Sequence, residues 1–181
     1  MGSTQKKAVL RMHDGNCLPG YLPAAGFIRR CVSGNAPADG LELLDLSAHR
    51  QFIPLASLKW VCFLRDFNSG DPANPERLLR TTFAGRPRQS GVWLRMTLKD
   101  ETALEGLAEN DLSLLDPAGV LITPPDTRSN TQRIFLPRTS IAELSIVSVI
   151  GGSAAPPVKR KPPTSDRRQA DLFPTATPKA L

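Results

Sequence analysis

The chain uses one stretch twice, and that repetition limits its fold more than any other feature. Phe52-Ile53-Pro54-Leu55-Ala56-Ser57-Leu58-Lys59-Trp60-Val61-Cys62-Phe63-Leu64 recurs as Phe135-Leu136-Pro137-Arg138-Thr139-Ser140-Ile141-Ala142-Glu143-Leu144-Ser145-Ile146-Val147, at a constant offset of 83. Phe, Pro and Ser recur identically, and most of the apolar positions are matched in kind. An opening segment repeats as well: Leu10-Arg11-Met12 leads to Gly20 as Leu94-Arg95-Met96 leads to Gly106. Self-similarity at a fixed spacing means two copies of one supersecondary unit. Each copy has roughly 60–75 residues, a size at which a lone core is marginal. The two are therefore expected to pack together or to share strands.

Within each copy the pattern is that of short strands. Lys7 to Met12 alternates, with Ala8, Leu10 and Met12 expected on one face and Lys7, Val9 and Arg11 on the other. His13-Asp14-Gly15-Asn16 supplies a tight turn, and Cys17 to Leu22 returns with Gly20 at a bend. Gly26–Val32, Leu41–Asp45, Phe52–Pro54 and Val61–Leu64 follow as strands, with Ser57 to Trp60 a short turn and Pro54 at a strand end. The second copy reads as strands at Val92–Leu98, Ala103–Leu107, Gly119–Thr123, Arg133–Leu136 and Ala142–Ile150, with Asn110 to Asp116 a turn or loop. Between the copies, Asp66 to Pro75 is rich in turn formers, and Glu76 to Arg80 is expected to start a short helix. Many short strands with regular turn signals predict an all-β barrel or sandwich. The expected organisation is a first β module over 7–66, a linker over 67–90, a second module over 91–151, and a disordered tail over 152–181.

Composition places the charge. The net charge is +6. Residues 151–181 carry Lys159, Arg160, Lys161, Arg167, Arg168 and Lys179 against Asp166 and Asp171, so most of the excess sits in a proline-rich tail on a nearly neutral body. A folded nucleic-acid binder usually shows its charge on the body, which weakens the argument from the high isoelectric point. No apolar run approaches the ~20 residues that span a bilayer, so no membrane partner is expected. Cys17, Cys31 and Cys62 are odd in number and widely spaced, which argues against a disulfide framework and for a reducing cytoplasm.

The stretch Leu10 to Leu22, an apolar strand, an Asp-Gly turn and a Gly-aromatic-Leu strand, resembles the first motif of the Sm-like proteins (Sm, Lsm and bacterial Hfq). The second copy keeps Asp100, Leu104 and Gly106 but has Glu101 where the turn glycine stands. The Phe-x-Pro-x-x-Ser pattern and the segment Pro124 to Arg138 resemble an uncharacterised bacterial family of tandem modules of this kind. The resemblance covers about 8–66 and 91–151. It implies two small Sm-like five-stranded barrels in tandem. It does not carry RNA binding with it: the Asp and Asn that follow the second strand in RNA-binding relatives are missing from Pro23-Ala24-Ala25-Gly26, and Asn110-Asp111 stand in reversed order.

Catalytic chemistry finds little footing. His13 and His49 are the only histidines, no Ser-His-Asp or Cys-His set can be argued from spacing, and there is no C-x-x-C pair for zinc and no phosphate-cradling glycine loop. No catalytic residue, metal or cofactor is therefore expected. Cys62 is expected to be a small core residue, and Trp60 and Trp93 to be buried. Arg29, Arg30, Arg86 and Arg88 are candidates for contact with RNA or DNA, together with Lys159, Arg160, Lys161, Arg167 and Arg168. The ordinary alternative, a solvated face or ion pairs, applies to these and to Arg133 and Arg138.

The sharpest motif lies in the tail. Gln169-Ala170-Asp171-Leu172-Phe173 resembles the pentapeptide by which bacterial polymerases and repair proteins dock on the DNA sliding clamp. The resemblance implies that Leu172 and Phe173 enter an apolar pocket while Gln169 bonds its rim, with Asp171 between them. Little chain has to be ordered, so the entropic cost is small. The sequence thus points to a non-enzymatic cytoplasmic binding or adaptor protein that docks on the sliding clamp, with an Sm-like nucleic-acid-binding protein as the alternative. Self-association into a homo-oligomer is left open.

Overall fold

The computed structural model of the chain describes residues 5–33, 36–67, 70–71, 74–126 and 128–151, with side chains for all of these except 29–38. The expected tail lies outside the described residues. The fold is all-β. Eleven strands join in one antiparallel sheet: β1 (Gln5–Met12), β2 (Cys17–Pro23), β3 (Ile28–Ser33), β4 (Ala36–Asp45), β5 (Arg50–Pro54), β6 (Leu58–Leu64), β7 (Gly91–Leu98), β8 (Ala103–Ala108), β9 (Gly119–Thr123), β10 (Thr131–Pro137) and β11 (Ile141–Ile150). The order across the sheet is β11-β7-β8-β9-β10-β6-β1-β2-β4-β3, with β5 on the other edge of β4.

That order contains the repeat. In each half the last strand pairs with the first, the first with the second, the second with a third, and the third with a fourth: β6-β1-β2-β4-β5 and β11-β7-β8-β9-β10. The halves join where β10 of the second pairs with β6 of the first, with Ile134 opposite Cys62 and Phe135 opposite Val61.

The recurring Phe, Pro and Ser each have a physical task. The ring of Phe52 lies over Gly40 on the neighbouring strand, and that of Phe135 over Gly119, where a β-carbon would sit under 3 Å from the ring. Pro54 and Pro137 end β5 and β10, since proline has no N–H to give the ladder. One 3-10 turn follows each, Leu55–Ser57 and Arg138–Ser140. It is closed by the Ser57 and Ser140 hydroxyls, each donating to the proline carbonyl at 2.8 Å. The Ser57 carbonyl then accepts from the His13 N–H, and the Ser140 carbonyl from the Lys99 N–H, which ties this turn to the turn between the first two strands of its half.

The pairing also corrects the sequence alignment of the first strands. Ala8 stands opposite Gly20 and Leu94 opposite Gly106. Leu94 is thus the counterpart of Ala8, and Met96 that of Leu10. The motif Leu-Arg-Met is matched two residues out of step, because both strands alternate and a shift of two keeps the apolar face.

Two cores are built from shared strands. The first gathers Leu10, Leu22, Leu41, Leu43, Val61 and Phe63 with Phe135 from the other half. The second gathers Leu94, Met96, Leu104, Ile122, Ile134 and Leu136 with Val9, Trp60, Cys62 and Leu64 from the first half. Successive residues along β6 therefore enter alternate cores, which explains a run that is apolar on both faces. Val9 is fully buried for the same reason. The expected polar face of β1 is wrong there, since alternation of one strand cannot reveal that the second half covers its other side. Cys62 is buried as expected, and Trp60 is buried in the second core.

The connector lies against both halves. Glu76 is buried and accepts from the Arg11 guanidinium at 2.7 and 2.9 Å. The Glu76 and Pro75 carbonyls accept from the side chains of Thr131 and Asn130. Thr81 accepts from the Glu105 N–H, and Phe83 packs edge-on against Trp93. The helix expected from Glu76 does not form: the segment is a turn, closed by the Arg77 N–H on the Asn74 carbonyl, followed by irregular chain, and Glu76 and Thr81 bond outward to β1, β8 and β10. The turn or loop expected over Asn110 to Asp116 contains a 3-10 turn, Leu112–Leu115, whose Ser113 N–H is capped by the Asp111 carboxylate.

Candidate functional site

Reactive side chains in the body are engaged in holding the fold. Glu105 on β8 accepts from the Phe83 N–H, from Trp93 Nε1 and from Arg95 Nε at 2.8–3.2 Å. Burial acts to raise its pKa, but these donors outweigh it and hold the carboxyl below its usual range. A carboxylate with three donors fastens the connector to β7 and β8. Asp45 accepts from the Ser47 and His49 N–H groups and from Gln51, which makes it the pin of the turn before β5. His49 Nδ1 stands 3.7 Å from the same carboxylate on the exposed side of that turn. Asp100 meets Lys59 at 2.5 Å across the two halves. Burial raises its pKa, and Lys59 with Thr102 more than reverses this, to about 2. Burial pushes the Cys62 thiol well up, which keeps it protonated and inert, and it raises Cys17 as well. Among the described residues no group of three or more His, Cys, Asp or Glu side chains is placed to hold a metal ion.

The arginines singled out in the sequence are dispersed. Arg29 and Arg30 lie on β3 opposite Gly40 and Asp39, and their side chains fall outside the described ones. Arg86 and Arg88 line an open cleft of about 310 Å³ with Phe83, Leu107, Pro124 and Pro125. The structure thus joins the Arg-Pro-Arg and Pro-Pro motifs, which lie far apart in the chain. Arg133 pairs with Glu109 at 2.8 Å, and Arg138 donates to the Asp116 and Leu114 carbonyls. A second cleft, missed in the sequence, gathers Arg65, Arg77 and Arg128 with Asp126, Ser129 and Asn130. Its only signal in the chain was a scatter of arginines around turn residues. Lys159, Arg160, Lys161, Arg167, Arg168 and the motif residues Gln169, Asp171, Leu172 and Phe173 lie outside the described residues.

The remaining feature of the body is its set of sheet edges. β3, β5 and β11 each pair on one side only. β11 presents Ile146, Val147 and Val149 to solvent, and Phe52 on β5 is 38% exposed. An edge with free N–H and C=O groups and apolar side chains is a template for another strand.

No helix among the described residues is long and apolar enough to cross a membrane. No solved structure matches the chain. Residues 4–148, both halves and the connector, match a family of unknown function (DUF6982), and the chain belongs to that family.

Proposed function

We propose that this is a non-enzymatic adaptor of the bacterial cytoplasm, two Sm-like modules carrying a tail that docks on the DNA sliding clamp. The observation that carries the reading is the placement of Gln169-Ala170-Asp171-Leu172-Phe173. The pentapeptide follows the end of β11 at Ile150 by a basic, proline-rich stretch. A segment of that composition has too little apolar surface to fold on its own. About 18 such residues would give a tether with a reach of ~25 Å on flexible-chain statistics. Leu172 and Phe173 would supply the apolar contact and Gln169 a polar anchor, while Lys159, Arg160, Lys161, Arg167 and Arg168 would add attraction to an acidic surface or to nearby DNA. The engagement of Glu105, Asp45 and Asp100 in structural bonds supports a body that binds rather than reacts. The Sm-like reading is supported by five equivalently ordered strands in each half.

Calorimetric titration of the full chain and of Leu172→Ala/Phe173→Ala into a bacterial sliding clamp tests this reading. Micromolar binding that the double variant abolishes supports it. No binding at ~100 μM, the weak limit for a useful docking peptide, overturns it.

The cleft of Arg65, Arg77 and Arg128 favours a second reading, nucleic-acid binding by the body. Three arginines lining one cleft, against the single carboxylate of Asp126, suit phosphate oxygens. Binding of single-stranded RNA that falls steeply with salt and survives deletion of 152–181 would support it. Loss of all such binding with the tail would assign the affinity to the tail.

A further inference from the structure

A third cleft, of about 500 Å³, opens at the seam of the molecule, with β1 and β6 of the first half, β9 and β10 of the second, and Gln89 of the connector all contributing to its lining. We infer that this cleft binds a small organic anion, an apolar body carrying one carboxylate. Neither the tail nor the cleft of Arg65, Arg77 and Arg128 is involved.

The floor is an incompletely covered end of the first core. Phe27, Phe63 and Leu121 line it and belong to that core, Phe63 buried and the other two partly so. Phe27 meets Phe63 and Phe135 edge-on, at ring separations of 5.4 and 5.2 Å. Edge-to-face contacts of this kind orient the rings. The apolar surface is therefore in place before a ligand arrives, and little ordering cost remains. A preformed cleft of this size, apolar at its base and set between two units, meets the usual requirements of a small-molecule site.

The rim is polar, and β10 is irregular where it supplies that rim. Thr131 stands opposite Leu64 and Arg133 opposite Phe63, so Gln132 is an extra residue, a bulge at the junction of the halves. Plain alternation would send Gln132 and Arg133 to opposite faces of the sheet. Here both line the cleft, while the Thr131 hydroxyl donates to the Glu76 carbonyl. Re-aiming a side chain in this way is what bulges do beside binding sites. The charge on the rim sets the class of ligand. Lys6 and Arg133 line the cleft and no acidic residue does. Arg133 is paired with Glu109 at 2.8 Å, and that carboxylate is 62% exposed. Lys6 has no ion pair among the described residues. Two cations against one nearby carboxylate leave a single positive charge, which matches a monoanion better than a phosphate monoester. The Lys6 ammonium and the Gln132 amide N–H groups would donate to the carboxylate oxygens, with the apolar body lying on Phe27, Phe63 and Leu121.

The test is calorimetric titration of the full chain with 2-naphthoate, an apolar body bearing one carboxylate, and with uncharged 2-naphthamide. The expected result is one naphthoate per chain with a Kd below about 1 mM, and an affinity for the amide about tenfold weaker or less. Heteronuclear NMR should show naphthoate shifting the amides of Phe63, Leu121, Gln132 and Arg133. Lys6→Glu, at an exposed position of β1, replaces a charged hydrogen bond by repulsion and should weaken naphthoate by about tenfold or more. Arg128→Glu, in the other cleft, should leave it unchanged. No naphthoate binding up to ~1 mM would overturn the inference. So would equal affinity for the amide, shifts confined to the cleft of Arg128, or full affinity in a Lys6→Glu chain whose circular dichroism melt matches that of the wild type.

Discussion

Phe52 and Phe135 are the same residue of the repeat in two settings, so the chain carries its own control. Both lie over a strand glycine, Gly40 and Gly119. Phe135, 3% exposed, also meets Phe27 at a ring separation of 5.2 Å and packs in the core of the other half. Phe52, at a free edge, is 38% exposed. Truncating a fully buried Phe to Ala costs about 3–5 kcal/mol, transfer and cavity together. Phe52→Ala loses part of that transfer and leaves no closed cavity, so a cost of about 1–2 kcal/mol is expected. At roughly 2–4 °C per kcal/mol for a chain of this size, Phe135→Ala should lower Tm by about 6–20 °C and Phe52→Ala by no more than about 8 °C. Urea titration followed by circular dichroism, in dilute solution, measures both. Equal costs, or a larger one for Phe52→Ala, would refute the claim that β10 completes the first core.

Three further outcomes follow from the geometry. Glu101 sits at φ +65° in the turn where the first half has Gly15 at +90°, so Glu101→Gly should stabilise the chain by about 0.5–1 kcal/mol, seen as a raised urea midpoint. Glu76→Gln keeps much of the shape but removes the charge facing Arg11; leaving one partner of a largely buried pair uncompensated costs about 3–5 kcal/mol at full burial, and with Arg11 partly solvated a loss of about 2–4 is expected in the same titration. The Asp100 carboxyl titrates near 2 in the fold against about 3.8 unfolded, so its stabilisation is present above pH 4 and is lost as the pH falls towards 2. The group is 44% exposed, which limits the effect to under about 1 kcal/mol, and Asp100→Asn should flatten that part of a stability–pH profile without moving the rest.

The repeat was legible because its conserved residues do local work. Phe over glycine, Pro at a strand end and Ser closing a turn each need a particular side chain, and so they survive in sequence. The number and rough places of the strands followed from turn signals for the same reason. What stayed hidden was long-range. β6 faces two cores, and nothing in Leu58 to Leu64 says which residues enter which. Val9 looked like a solvent position because it belongs to the second core, most of whose residues come from the other half of the chain. The connector looked like a passive linker since its composition is that of a loop; its role rests on single bonds such as Glu76 to Arg11, which no periodicity announces. The Arg65, Arg77 and Arg128 cleft was hidden likewise, its members meeting only once β10 joins β6.

Everything above depends on the halves being one cooperative body joined through β6 and β10. Hydrogen exchange read segment by segment over a urea series tests this most directly. The account predicts that amides in β1, β6, β7 and β10 open with the same free energy, within about 1 kcal/mol, and the same urea dependence, as one two-state unit requires. Separate opening of β7–β9 at a distinctly lower free energy, with β1 and β2 still protected, would contradict it.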